Sequence, residues 1–545
     1  MTTNGATPFP ATDGAGAGPA LRLATDSGRL GLRFGPYSAG DFEITTGAFA
    51  PTRIIPSALH YFSDECIAVP RPGIPAAGYA RRSRTLDDVV AWSRDVRLDA
   101  PGDRPPLILL GAPLRADAAQ LAPDARTVTL SGLSHPFGLA ARLALNRSWF
   151  DASSAAFLSQ RPLHMRASLA DGTVVGRSFW PADFRIGDDP PHAALPEDMP
   201  AALALRLAMR EDPHGGAQLP FAARVIWTRR GTPRGCKDKP VLAIVVNGAQ
   251  GDDDEAWAGH FAIATGRLAP DGGIGDLLDD NFYALDIVSE KGILAAPVPL
   301  DNYFGDLNRG QSWYRPSFIL VATLRDEAAP RLVQGAFNRV YQQFWRHQLG
   351  YSHSTMNCTG ISVDVLRALG WRIPARPPGQ GLRAWLAIPW TLLREHSLAR
   401  ARMASEYLSE DATRVFPAAA FEEVGADLLR LGEQGAAAGD GRLASMLARD
   451  LESLVLLRIP QFPSSRPFGA APVVSTGEYR SVLPPNPADM KIVPVPPRPF
   501  PRELRDPDLL PPRRRSSDAP VAFWALLLAS IALGCAWALA RALLA

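Results

Sequence analysis

The chain has 545 residues, with 57 Lys plus Arg against 55 Asp plus Glu and a formal net charge of +2. That near-balance provides no basic field suited to nucleic acid, and no strong nucleic-acid motif is present, which argues against nucleic acid as a partner. Four cysteines, Cys66, Cys236, Cys358 and Cys535, are too few and too scattered for a disulfide framework or a Cys-rich zinc site, so reduced thiols are expected.

With 46% hydrophobic residues, the chain can build two or three cored domains. Residues 1–20 are small and polar and are expected to be disordered. They carry neither a basic region nor an apolar run, so no secretory signal is expected. From 21 to 235, short alternating runs such as LRLATDSGRLGLRF and RTVTLSG, broken by Gly and Pro, predict a β-rich domain. Helices are expected within it at TLDDVVAWSRDV, where Thr85 can cap, and at HPFGLAARLALNRSWF. No function is legible in this region.

Residues 236–380 carry a clearer order, that of an α+β module. The strands KPVLAIVVNG, GHFAIATGRL, NFYALDIVSE and PSFILVATL are followed by two helices, PRLVQGAFNRVYQQFWRHQLG and CTGISVDVLRALGW. Pro330 suits a first helical turn, and Val333, Phe337, Val340, Tyr341, Phe344 and Trp345 recur at helical spacing, as core residues do. Residues 381–458 read as a helical appendage, with Leu443, Leu447, Leu451, Leu454 and Val455 on one face of a final helix.

Residues 459–518 read as a stalk. Fifteen of the 53 residues from Pro460 to Pro512 are proline. Such a stretch favours extended chain, at about 3.1 Å per residue, and reaches on the order of 100 Å. A protein partner could recognise PVPPRPFP there, although a spacer is the simpler role. Residues 519–545 predict a membrane anchor. Val521 to Ala540 is twenty residues without a charge, the length a helix needs to cross roughly 30 Å of hydrocarbon. Arg513, Arg514 and Arg515 precede it and only Arg541 follows, so the positive-inside rule places the body in the cytoplasm, as a single-pass protein of a bacterial inner membrane. The heavy use of Ala, Arg, Pro and Gly, with few Lys, fits a GC-rich bacterial genome.

One cysteine has a setting for chemistry. Cys358 follows the polar run SHSTMN and opens a helix whose Ile361, Val365, Leu366 and Leu369 share one face. At a helix N-terminus, unsatisfied N–H groups and the positive end of the macrodipole favour thiolate over thiol and can hold a developing oxyanion. A buried structural cysteine fits the same position. A nucleophile also needs a base. His260 opens the strand HFAIATG among small or apolar neighbours, His347 lies at the polar end of the long helix, and His353 sits in the loop five residues before Cys358. His260 ranks first as base, with His353 as a second histidine or oxyanion donor. The acidic run Asp252, Asp253, Asp254 and Glu255 lacks the alternating spacing of a calcium loop and reads as a solvated turn. Ser134, in GLSHPFG, lacks the spacing of a nucleophile elbow and reads as a helix cap. Neither a P-loop nor a dinucleotide fingerprint is present, so no cofactor or metal is expected.

A strand beginning GH, further strands, and then a helix opening NC resembles the circularly permuted branch of the NlpC-type papain-like fold. That branch includes lecithin:retinol acyltransferase-like enzymes. In it the histidine precedes the cysteine, as here, and the resemblance covers roughly residues 240 to 373. It implies Cys358 as nucleophile and His260 as general base, with Asn357 beside the nucleophile as a secondary residue. The third, orienting group should come from NFYALDIVSE, which offers Asn281 or Asp286. Five apart, these two face opposite sides of a regular strand. Asn281, at the strand's entrance, is favoured over Asp286, which reads as a buried or partly buried charge needing a partner. The chemistry implied is acyl transfer through a thioester, on a peptide, amide or lipid-ester substrate, by a hydrolase or an acyltransferase. The alternative is a membrane-tethered scaffold on the same fold without activity.

Overall fold

The computed structural model describes residues 33–46, 65–78, 86–99, 102–141, 150–210, 219–232, 235–250, 258–282, 295–345, 351–352, 354–377, 381–464, 469–482 and 486. The fold is mixed α+β, with several antiparallel sheets.

Within the region expected to be β-rich, five strands close into a barrel in the order Thr173–Pro181, Leu133–Leu139, Thr127–Leu130, Leu114–Leu121 and Leu163–Ala170. Two of its hairpins turn on residue pairs with positive φ, Ser131 (49°) with Gly132 (83°) and Asp171 (47°) with Gly172 (76°). Paired left-handed residues match the twist of flanking strands in two-residue hairpins. The Ser131–Gly132 turn also explains a correction. HPFGLAA begins as strand Leu133–Leu139, paired back on Thr127–Leu130, so Ser134 is a strand residue and caps no helix. The helix expected at TLDDVVAWSRDV spans Asp87–Asp95, and Thr85 lies outside the described residues.

The larger sheet has seven strands, antiparallel throughout, in the order Ala222–Thr228, Leu451–Ile459, Ser317–Leu324, Pro240–Asn247, His260–Arg267, Leu278–Asn281 and Ala296–Pro299. The two middle strands, PVLAIVVN and SFILVATL, are buried at every position, as continuous apolar runs must be when both sheet faces are covered. Helix Ala328–Trp345 packs on one face, where Gln334 meets Thr265 and Asp280. Against the other face, the short helix Leu300–Gly305 ties the sheet to the barrel. Arg166 holds Asp301 bidentately, Arg177 holds Asp306, and Trp180 stacks on Phe304 at 5.5 Å.

Two expectations near the C-terminus are corrected. The final helix spans Arg442–Asp450 and stops there. Leu451, Leu454 and Val455 belong instead to strand Leu451–Ile459, inserted between Ala222–Thr228 and Ser317–Leu324. The run LESLVLLRI is apolar at six of its nine positions, consecutively from Leu454 to Leu457, and is buried at eight, which suits a strand covered on both sides better than one helical stripe. The proline-rich stretch also begins by packing. Phe462 is fully buried and meets Trp313 edge-on at 4.6 Å, Gly469–Ala470 pairs with Ala249–Gln250, and Thr476–Val482 is helical. Among the described residues no helix is long and apolar enough to cross a membrane, and Val521–Ala540 lies outside them.

Candidate active site

His260 owes its position to the glycine before it. Gly259 has φ +99°, and a Cβ there would stand 2.3 Å from the Asn247 carbonyl oxygen, so only glycine lets the chain turn this closely into the strand. His260 then pairs with Asn247, the last residue of the neighbouring strand. On the other side, Ile263 lies opposite Asp280, which places Asn281 diagonally across from His260 on the same face. Asn281 closes its strand and does not open it as expected. Antiparallel pairing sets the end of one strand beside the start of the next, and this brings the two side chains together.

The contact is a hydrogen bond of 2.7 Å between His260 Nε2 and Asn281 Oδ1. An amide oxygen accepts, so Nε2 carries the ring proton and Nδ1 is left as the basic nitrogen. Asn281 is itself held, since the Tyr341 hydroxyl donates to its carbonyl at 3.3 Å. The Tyr303 ring forms a wall 6.3 Å from the imidazole. Its hydroxyl donates to Asn247 Oδ1, and Asn247 Nδ2 donates to Ser317 Oγ at 2.8 Å.

Cys358 is the first residue of helix Cys358–Ala368. Burial pushes its thiol up. The charge and hydrogen bond of the neighbouring His260, the Phe261 backbone N–H and the Thr359 hydroxyl together outweigh that burial, so the thiol is lowered to about 7. Cys358, His260 and Asn281 are 5%, 4% and 6% exposed, so all three are buried.

Asn357 is the helix cap. Its Oδ1 accepts from Gly360 N–H at 3.0 Å and its Nδ2 donates to the Val415 carbonyl at 3.0 Å. Capping of Gly360 leaves the N–H groups of Cys358 and Thr359, in the first turn, without intrahelical acceptors. Arg414 braces the helix by pairing with Asp364 and donating to the Thr355 carbonyl at 3.2 Å.

Cys358, His260, Asn281 and Asn357 therefore meet at one end of the sheet. Asp286, His353 and His347 lie outside the described residues, as does the acidic run 252–255. Sequence reasoning passed over Asn247, Tyr303 and Thr359, and also the consecutive buried carboxyls Asp279 and Asp280. Burial pushes both carboxyls well above the usual carboxylate range, with the Asp280 charge adding to the rise at Asp279. Neither oxygen of Asp279 has a hydrogen-bond partner. Two acids inside the apolar run LLDDNF were the available signal. Among the described residues, no group of three or more His, Cys, Asp or Glu side chains is placed to hold a metal ion.

The arrangement can move a proton from thiol to imidazole, orient the imidazolium by an amide, and present backbone donors beside the sulfur. Comparison of the chain with protein-family models, with curated proteins and with solved structures finds no match.

Proposed function

We propose that the chain is a membrane-anchored cysteine hydrolase or acyltransferase, with residues 236–380 as a permuted papain-like module. The observation that carries this reading is the relay from Asn281 through His260 to a Cys358 thiol lowered to about 7. His260 Nδ1 takes the Cys358 proton, and the sulfur attacks the carbonyl carbon of an amide or ester. The N–H groups of Cys358 and Thr359 receive the oxyanion. Collapse of the tetrahedral adduct expels the amine or alcohol, which takes its proton from His260, and leaves a thioester on Cys358. Water then regenerates the thiol in a hydrolase, and an amine or hydroxyl acceptor does so in a transferase. Asn281 keeps Nε2 protonated throughout, the orienting part that the third member of such triads plays. Asn357 acts through the helix it caps. The apolar stretch Val521–Ala540 anchors the chain, with the body on the cytoplasmic side.

Labelling the full-length protein in detergent with a thiol-reactive probe at pH 6 to 9 tests the site. The wild type is expected to label fast at Cys358 with a midpoint near pH 7, and Cys358→Ala to lose that label. Labelling of Cys358 no faster than an ordinary exposed thiol sinks the enzyme reading and leaves the inactive scaffold.

A further inference from the structure

Helices Gly381–Glu395 and Leu398–Ser409 pack on each other as a hairpin. The hairpin is tied to the body near its far end, where Ser354 Oγ donates to Glu406 and the Tyr407 ring meets Phe416. The first helix presents Trp385, Leu386, Trp390 and Leu393, which are 59%, 51%, 67% and 76% exposed. At 3.6 residues per turn these four and Pro389 fall within an arc of roughly 140°, a continuous apolar stripe. Ala384, outside that arc, is buried. Four large apolar side chains together on one exposed face mark a surface that something covers.

We propose that this face lies in the interfacial layer of an anionic phospholipid bilayer. Three observations select lipid. The two tryptophans are amphipathic rings of the kind that settle at head-group level. The stripe is bordered along its Trp390 edge by the exposed Arg383 and Arg394, and the hairpin carries four arginines against two glutamates, a charge complementary to acidic head groups. The same chain continues past the described body to the uncharged stretch Val521–Ala540, which rests on the anchor proposed above. The 38 residues from 483 to 520 give the body ample reach to the surface of the bilayer in which that stretch would sit. Tethering raises the local concentration of the hairpin at the bilayer, so a weak interfacial affinity suffices. The hairpin would then dock the body at the surface, on the side where Ser354 and Thr355 lead into the Cys358 helix.

The test uses the full chain reconstituted in vesicles of phosphatidylcholine and phosphatidylglycerol with brominated acyl chains. A fluorophore is placed at Leu393→Cys or, as a reference on the barrel, at Leu133→Cys, a position 54% exposed. Background labelling is taken from the unsubstituted chain. The expected result is quenching at position 393 at least ~3-fold stronger than at 133, falling to the reference level when Trp385→Ser and Trp390→Ser are added. Equal quenching at the two positions overturns the proposal. So does a position-393 fluorophore that is shielded without quenching and cross-links to a second chain, which would make the face a contact between copies. Alkaline carbonate extraction of the same vesicles reads the anchor separately, because release of the chain removes the anchor and leaves the quenching result standing.

Discussion

Cys66 and Cys358 are buried to nearly the same degree, 3% and 5% exposed, and their thiols move in opposite directions. Cys66 opens strand Cys66–Pro70, where burial pushes the thiol up to about 12 although Arg166 and Arg177 pull against it. Cys358 opens a helix beside His260 and is lowered to about 7. Burial alone therefore does not decide which way a thiol moves. A guanidinium at a distance only moderates desolvation, whereas an imidazole in hydrogen-bond contact takes the proton itself and leaves an ion pair.

The contrast can be broken at its largest point first. Cys358 is far the richer in thiolate at neutral pH, so probe labelling at pH 7 followed by peptide mapping should favour Cys358 over Cys66 by on the order of 100-fold or more. Comparable labelling of the two would void the comparison.

Removing the imidazole should erase most of the difference. In His260→Ala the Cys358 thiol returns to at least the ordinary value near 8.5, and its labelling rate at pH 7 is expected to fall on the order of 10- to 100-fold. The pH midpoint should move up at the same time. A slower rate with an unmoved midpoint would mean that only access had changed.

Asn281→Ala should act more gently. It frees the ring to rotate and to exchange tautomers, so the labelling rate at pH 7 is expected to drop about 3- to 10-fold, with the chain still folded by circular dichroism. An unchanged rate would remove Asn281 from the relay.

The smallest effect lies two residues along the strand from Asn281. Asp279 is buried, unpartnered and pushed well above the carboxylate range. Its folded pKa is raised, so its contribution to stability is fully present below its unfolded value near 4 and is lost as pH rises through the folded one. Asp279→Leu has nearly the same shape and no charge to bury. It should be near-neutral at pH 4 and stabilising by about 1–3 kcal/mol at pH 8, read by chemical denaturation at both values. Destabilisation at pH 8 would show that the carboxyl has a partner when charged.

Two positions of the candidate site are legible in the sequence alone. Cys358 was placed at a helix start by the switch from SHSTMN to apolar residues at helical spacing, and His260 at a strand start by its glycine and the apolar run after it. Both are local signals. The choice between Asn281 and Asp286 was not local, because it depends on which residue of one strand lies beside the first residue of another, and register belongs to the pair. The reading of Leu443 to Val455 as one helix failed for a related reason. Leu451, Leu454 and Val455 fit a helical face, but the gap between two strands distant in sequence supplied better partners for the whole run. Proline content likewise gave no warning that Phe462 would fill a pocket against Trp313 and Phe157.

By itself, the sequence determined what depends on neighbours along the chain: the helix start at Cys358, the strand start at His260, and the uncharged twenty-residue stretch near the C-terminus. Tertiary structure alone decided what depends on neighbours across space. It set Asn281 against His260, packed the first part of the proline-rich segment, buried Asp279 without a partner, and left the stripe from Trp385 to Leu393 exposed. The physical reason is range. Caps, turns and periodicity act over a few residues, whereas desolvation and strand register are properties of surroundings assembled from segments up to hundreds of residues apart.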